Sequence, residues 1–183
     1  RTRISLAIEN TNLIEESMGY SALSNSKMIR AGLVHASSEI NANLTKNSTI
    51  TLASSVELMH TYSLIHDDLP CMDDDDLRRG QPSNHIKYGE ANAVLAGDAL
   101  QALAYEIICD DEDMKSVEKV HAIKLLSNSC GKTGMIYGQY LDILHENNSD
   151  NINQDILEEI HNLKTGRLIA VSYTHLRAHE TSS

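Results

Sequence analysis

His66-Asp67-Asp68-Leu69-Pro70-Cys71-Met72-Asp73-Asp74-Asp75-Asp76-Leu77-Arg78-Arg79-Gly80 decides how the rest of the chain is read. Six of the 26 acidic residues lie between Asp67 and Asp76, and two arginines follow at once. Asp67 and Asp68 close an apolar run from Met59 to Leu69, where unpaired carboxylates are costly. A block of like charge is usually a solvated turn. The apolar approach and the paired arginines point instead to a cation joining the carboxylates to a phosphate. Mg²⁺ binds through a few carboxylates and substrate phosphates, and guanidinium groups match phosphate oxygens in pairs. The spacing and terminal Glu of a calcium-binding EF-hand are absent.

Upstream, Asn47-Ser48-Thr49 reads as the cap of a helix from Ile50 to His66, apolar along Ile50, Ala53, Val56 and Met59. His60, Ser63 and Asp67 stand at i, i+3 and i+7, one stripe of that helix. On an unbroken helix Asp73 would point roughly 120° away from Asp67. Pro70 cannot continue a helix interior, so the helix is expected to stop or bulge near Leu69 and return Asp73 beside Asp67.

Further upstream, Arg1 to Ala22 reads as one or two helices. Ser24-Asn25-Ser26 is a turn and helix-start signal before a helix from Lys27 to Asn43. Lys27 and Arg30 lie three apart on its first turn, where a helix start favours an anion; alternatively they are two exposed surface charges. Downstream, Gly80 to Gly89 reads as a loop. Glu90 to Ile108 is a helix apolar on nearly every side, hence buried. Ala96-Gly97 permits a close helix approach, and Asp98 is expected to be a satisfied buried polar group. Ser116 to Ser129 is an amphipathic helix through Val117, Val120, Ile123 and Leu126. Gln139 and Asp142 share a face after Gly131, Gly134 and Gly138. Asn147 to Asn153 is a loop, a helix follows from Gln154, and Lys164-Thr165-Gly166 marks a helix end. No strand pattern stands out.

The chain has 183 residues, 41% of them apolar, with no Trp or Phe and seven Tyr, so its core is aliphatic and Met-rich. A net charge of −11 excludes a nucleic-acid surface, which needs a basic stripe. Cys71, Cys109 and Cys130 lack metal-ligand spacing, and their odd number points to a reducing compartment, the cytoplasm. No apolar run reaches the roughly 18 residues of a membrane span. The chain begins at Arg1 rather than Met, which leaves room for residues before it.

Asp-Asp-x-x-x-x-Asp with Asp-Asp-Leu-Arg-Arg-Gly resembles the first aspartate-rich motif of trans-polyprenyl diphosphate synthases, in the expanded form of the bacterial and plastid farnesyl and geranylgeranyl enzymes. Pro82, His85, Gly89-Glu90 and Ala93 to Leu100 fit the same family, and the resemblance runs from about Tyr20 to Ala170. It implies an all-α antiparallel helical bundle of the isoprenoid synthase type, here lacking its C-terminal side. It also implies a prenyltransferase that condenses isopentenyl diphosphate with an allylic diphosphate (dimethylallyl or geranyl). Asp67, Asp68 and Asp73 would hold Mg²⁺, or Mn²⁺ in its place. Arg78, Lys164 and Thr165 would meet the allylic diphosphate, and Lys27, Arg30, His60 and Arg79 the isopentenyl diphosphate. Gln139 would line the cavity. Tyr62 would floor it and set a fifteen-carbon farnesyl product.

Several features depart from the family. Met28 stands for an arginine, Ala31 for a proline, and Asn25 and Ser26 for two glycines of the Gly-Gly-Lys-Arg-x-Arg-Pro motif. No second Asp-Asp-x-x-Asp follows, so residues 1–170 read as an incomplete domain, inactive alone and a homodimer when complete. Residues 171–183 lose the apolar pattern and read as a tail foreign to the family. Three alternatives stay open: a geranylgeranyl synthase, a non-catalytic regulatory subunit of the same fold, and a plain metal-binding helical protein.

Overall fold

The computed structural model describes residues 1–40, 44–146 and 153–174. Its elements, in chain order, are α1 (Thr2–Ala7), α2 (Leu13–Ala22), α3 (Ile29–Ile40), α4 (Lys46–Asp67), β1 (Leu77–Arg78), β2 (Gln81–Pro82), α5 (Asn84–Tyr88), α6 (Glu90–Cys109), α7 (Ser116–Cys130), α8 (Met135–Glu146), α9 (Gln154–His161) and α10 (Arg167–Thr174). A π-helical turn, Asn162–Gly166, joins the last two. The fold is an all-α bundle. No helix among the described residues is long and apolar enough to cross a membrane.

α4 is the axis. It spans 22 residues, and Leu52, Val56, Leu58, Met59 and Ile65 bury against its neighbours. α4 packs most extensively on α6 and then on α3. Small residues on α6 allow that approach: a Cβ on Gly97 would lie 2.2 Å from His66 Nε2. Ser55 Oγ donates to the Ala104 carbonyl at 2.6 Å across the same seam. The α6–α7 connection is fixed by Asp111, fully buried, whose Oδ1 accepts from Ser48 Oγ, Asp113 N and Met114 N at 3.0 Å each.

Several expectations are corrected. α4 begins four residues before Ile50, because Thr45 Oγ1 accepts the Ser48 amide as its cap; Ser48 and Thr49 are then buried helix residues. α3 begins at Ile29, so Lys27 lies before the helix and not on its first turn; residues 41–43 of the expected helix lie outside the described residues. Gly80 to Gly89 is not all loop. Arg79 and Gly80, with φ of 54° and 79°, turn a two-residue antiparallel hairpin, β1–β2, and α5 follows. α7 buries Ala122, Leu126, Ser129 and Cys130, whereas Val117 and Val120 are 73% and 65% exposed. On α6, Val94 and Leu95 are exposed, and so is Asp98, with a side chain 63% accessible rather than buried. The apolar pattern does not end at Val171: α10 runs through Thr174 and buries Val171 and Ser172. Of the expected Asn-rich loop residues 147–152, and of the expected tail residues 175–183, lie outside the described residues.

Candidate active site

The end of α4 makes the site. The helix stops at Asp67, Pro70 follows within three residues, and the chain folds back on itself. The Asp73 amide donates to the Asp67 carbonyl at 2.9 Å, and the Met72 and Asp74 amides to the Leu69 carbonyl at 2.8 and 3.1 Å. Asp74 takes a φ of 51°, a conformation that Asp tolerates better than most residues. Asp73 thus returns beside Asp67, as the proline and the spacing anticipate.

Asp67 lines a cavity of about 560 Å³ together with Tyr62, His66, Gln139, Lys164 and Thr165, and Arg30 and His60 line it too. Burial pushes the Asp67 carboxyl up to about 6; the Lys164 charge opposes that shift, and the Asp73 charge adds to it. Lys164 Nζ donates to Asp142 Oδ2 at 2.6 Å and lies 4.0 Å from Asp67 Oδ2. Burial alone would lower the Lys164 ammonium, but the Asp142 hydrogen bond and the Asp67 charge outweigh it and hold it above its ordinary value. The π-helical turn brings Lys164 and Thr165 here, because α8 packs directly on it. A Cβ on Gly138 would lie 2.3 Å from the Lys164 amide nitrogen. Both polar atoms of the Gln139 amide are buried and have no protein partner.

Asp68 and Arg78 form a separate pair. Asp68 is 2% exposed; Arg78 Nε donates to its Oδ1 at 2.9 Å, Arg78 Nη2 donates to the same oxygen, and Nη2 also donates to Asp75 Oδ2 at 3.1 Å. The pair faces a small pocket of about 40 Å³ rather than the main cavity.

A second cavity, of about 350 Å³, is lined by Lys27, Arg30, His60 and Arg79 with Met28 and Glu57. The Arg79 guanidinium reaches Ser24 Oγ at 3.4 Å and the Asn25 carbonyl at 3.5 Å. Its left-handed backbone is an unusual conformation for arginine, of a kind concentrated at functional sites. Arg30 Nε is buried and has no partner. Burial, then Arg30, Arg79 and Arg78, depress the His60 imidazole to about 3, so the ring is neutral. Arg30 and His60 line both cavities.

The structure therefore gathers Lys27, Arg30, His60 and Arg79 in one place and Tyr62, Asp67, Gln139, Lys164 and Thr165 in an adjoining one, with Asp73 beside Asp67. It keeps Asp68 and Arg78 as a pair apart from the main cavity. Asp142 and Glu57 were missed as site residues. Asp142 shares a face with Gln139 in the sequence; Glu57 stands one turn before His60.

Among the described residues no three His, Cys, Asp or Glu side chains gather closely enough to hold a metal ion. The site still fits a Mg²⁺ ion bound in its usual way, through one or two carboxylates completed by water and substrate oxygens. Asp67 and Asp73 are hard oxygen donors on one turn, and burial has already raised Asp67 in want of a cation.

The polyprenyl synthetase family model matches residues 11–181. The farnesyl diphosphate synthase of Escherichia coli (strain K12) is 47% identical over 167 residues, which make up 90% of this chain and 54% of that protein. The farnesyl diphosphate synthase of Haemophilus influenzae is 42% identical over 84% of this chain and 51% of its own length. A solved geranyltransferase from Legionella pneumophila superposes with a TM-score of 0.89 at 36% identity, over 97% of this chain and 65% of that one. The chain spans about half the length of the curated relatives it matches.

Proposed function

Because the chain belongs to the polyprenyl synthetase family, we propose that it is part of a prenyltransferase that condenses isopentenyl diphosphate with dimethylallyl or geranyl diphosphate, giving farnesyl diphosphate. The observation that carries this reading is the pair of cavities sharing Arg30 and His60. One is lined by the basic groups Lys27, Arg30 and Arg79 with His60. The other is lined by the half-buried Asp67 beside Lys164 and by apolar side chains of α4 and α8.

Lys27, Arg30, His60 and Arg79 hold the isopentenyl diphosphate. Lys164 and Thr165 hold the allylic diphosphate at the mouth of the larger cavity, and Gln139 offers its unpaired amide to the same ligand. Arg78 pairs with Asp68 and Asp75 and balances the negative end of the turn; to meet an allylic diphosphate it would have to swing away from these partners. Asp67 and Asp73, with Asp68 behind them, would hold Mg²⁺, or Mn²⁺, which when bound neutralises charge on a departing diphosphate. Lys164 adds a fixed positive charge to that same group, and such preorganised charge is worth most in a site shielded from water. The prenyl tail lies among Tyr62, Met135, Ile136 and Ile143, away from solvent. Tyr62 ends the cavity: it is 5% exposed and meets the His66 ring edge-on at 5.6 Å. The three unpaired cysteines support a cytoplasmic setting, and the exposed Val94 and Leu95 on α6 support a homodimer.

Calorimetry with isopentenyl diphosphate and with the unreactive geranyl S-thiolodiphosphate tests this reading. The first ligand should bind without a divalent cation and be lost in Arg79→Ala. The second should require Mg²⁺ and be lost in Asp67→Ala. Failure of both diphosphates to bind, or loss of both in either variant, would contradict two adjoining subsites.

A further inference from the structure

Among the described residues Glu57 is the one acidic side chain lining the basic cavity, and it is only 6% exposed. A buried carboxylate in a place that collects cations for an anion needs a reason. Its Oε1 accepts the Ala31 amide at 2.9 Å. Ala31 is the third residue of α3, and its amide is one of the donors that no intrahelical carbonyl takes at a helix start. A Ser, Thr, Asp or Asn just before the helix usually supplies that acceptor. Here the preceding residue is Met28, whose side chain has no oxygen and whose φ of 46° is far from the extended conformation of a capping residue. α4 supplies across the bundle what α3 lacks locally. Arg30 lies between Met28 and Ala31, and its buried guanidinium feels the Glu57 charge among its neighbours.

We propose that Glu57 is a positioning residue of the diphosphate site: its carboxylate caps α3 from α4 and thereby holds Arg30, with the Lys27–Met28 segment before it, facing His60 and Arg79. The inference rests on the reading of this cavity as a diphosphate site. It has a consequence opposite to simple electrostatics. A carboxylate in the cavity repels the ligand by charge, yet removing its oxygen should weaken binding, because the cations lose their alignment. Removing the charge while keeping the oxygen should not.

The probe is inorganic pyrophosphate, titrated by calorimetry in the presence of a chelator so that divalent cations play no part. Wild type, Glu57→Gln and Glu57→Met are compared; Gln keeps the acceptor, and Met keeps the bulk and the helix propensity without it. Glu57→Gln should bind within about threefold of wild type or more tightly, and Glu57→Met about tenfold more weakly, the scale of losing one helix cap. In an Arg30→Ala background Glu57→Met should cost little more. Glu57→Met binding as well as wild type, or Glu57→Gln binding as poorly as Glu57→Met, would overturn the inference while leaving the site reading intact. A wild type that does not bind pyrophosphate overturns both. If circular dichroism shows Glu57→Met unfolded, amide exchange at Ala31 decides: protection in wild type and in Glu57→Gln supports the cap, and fast exchange in wild type refutes it.

Discussion

Asp67 sits where burial and neighbouring charge disagree. Burial raises its carboxyl first, Lys164 pulls it back, and the balance stands at about 6 against an ordinary 3.8. The folded protein thus holds a proton between about pH 4 and pH 6 that the unfolded chain has released. This group's contribution to stability therefore falls as pH rises through that window, and the loss is complete above it. Replacing Asp67 with Asn removes the effect, so thermal melts should show Asp67→Asn gaining on wild type from pH 4 to pH 6. A constant difference between the two proteins would show that Asp67 titrates normally. Tyr62 belongs to the same scale. It is buried at the cavity wall against His66, and truncation opens space where the proposed prenyl tail would end. In the protein extended to the length of its relatives, Tyr62→Ala should shift products from fifteen carbons towards twenty or more, and Tyr62→Phe should not. Product chromatography that finds unchanged lengths in Tyr62→Ala removes Tyr62 from that role.

Helices set these residues in place, and their legibility in the sequence varied with how local the cause was. The return of Asp73 beside Asp67 was readable, because Pro70 and the spacing are local facts. The start of α3 was not: its cap is Glu57, 26 positions away along the chain, while the nearby Ser24-Asn25-Ser26 turn gave a local signal that the helix does not use. The face of α7 was misread because Val117 and Val120 are apolar but exposed, whereas small Ala122, Ser129 and Cys130 lie against neighbouring helices; residue type alone does not reveal which side has a neighbour. Lys164-Thr165-Gly166 read as a helix end, and what no periodicity showed is the π-helical turn that carries it. That turn gives a paired prediction. Gly138→Ala forces a Cβ against the backbone at Lys164 and should cost about 1–3 kcal/mol. Gly32→Ala in α3 meets nothing within 4 Å and should be neutral or stabilise by up to about 1 kcal/mol. Denaturant titrations measure both, and equal effects would contradict the close packing of α8 on the turn.

At the scale of the whole molecule, a chain with a net charge of −11 gathers its cations where an anion would need them. Lys27, Arg30 and Arg79 come from two loops and a helix start, Lys164 from the far end of the described chain, and α4 runs between them. The fold class was readable from helical periodicity and from the family motif, and the joining of the two cavities through Arg30 and His60 emerged only in three dimensions. That junction is the central claim: carboxylates and cations form one site for a diphosphate and a divalent cation together. Each ligand neutralises charge that the other meets, so their binding should be coupled. The direct measurement is calorimetric titration of inorganic pyrophosphate with and without Mg²⁺, and of Mg²⁺ with and without pyrophosphate, in wild type and Asp67→Ala. Each ligand should tighten the other by about tenfold or more in wild type, a coupling of about 1.4 kcal/mol, and the coupling should vanish in Asp67→Ala. Independent binding in wild type, or coupling that survives Asp67→Ala, would contradict it.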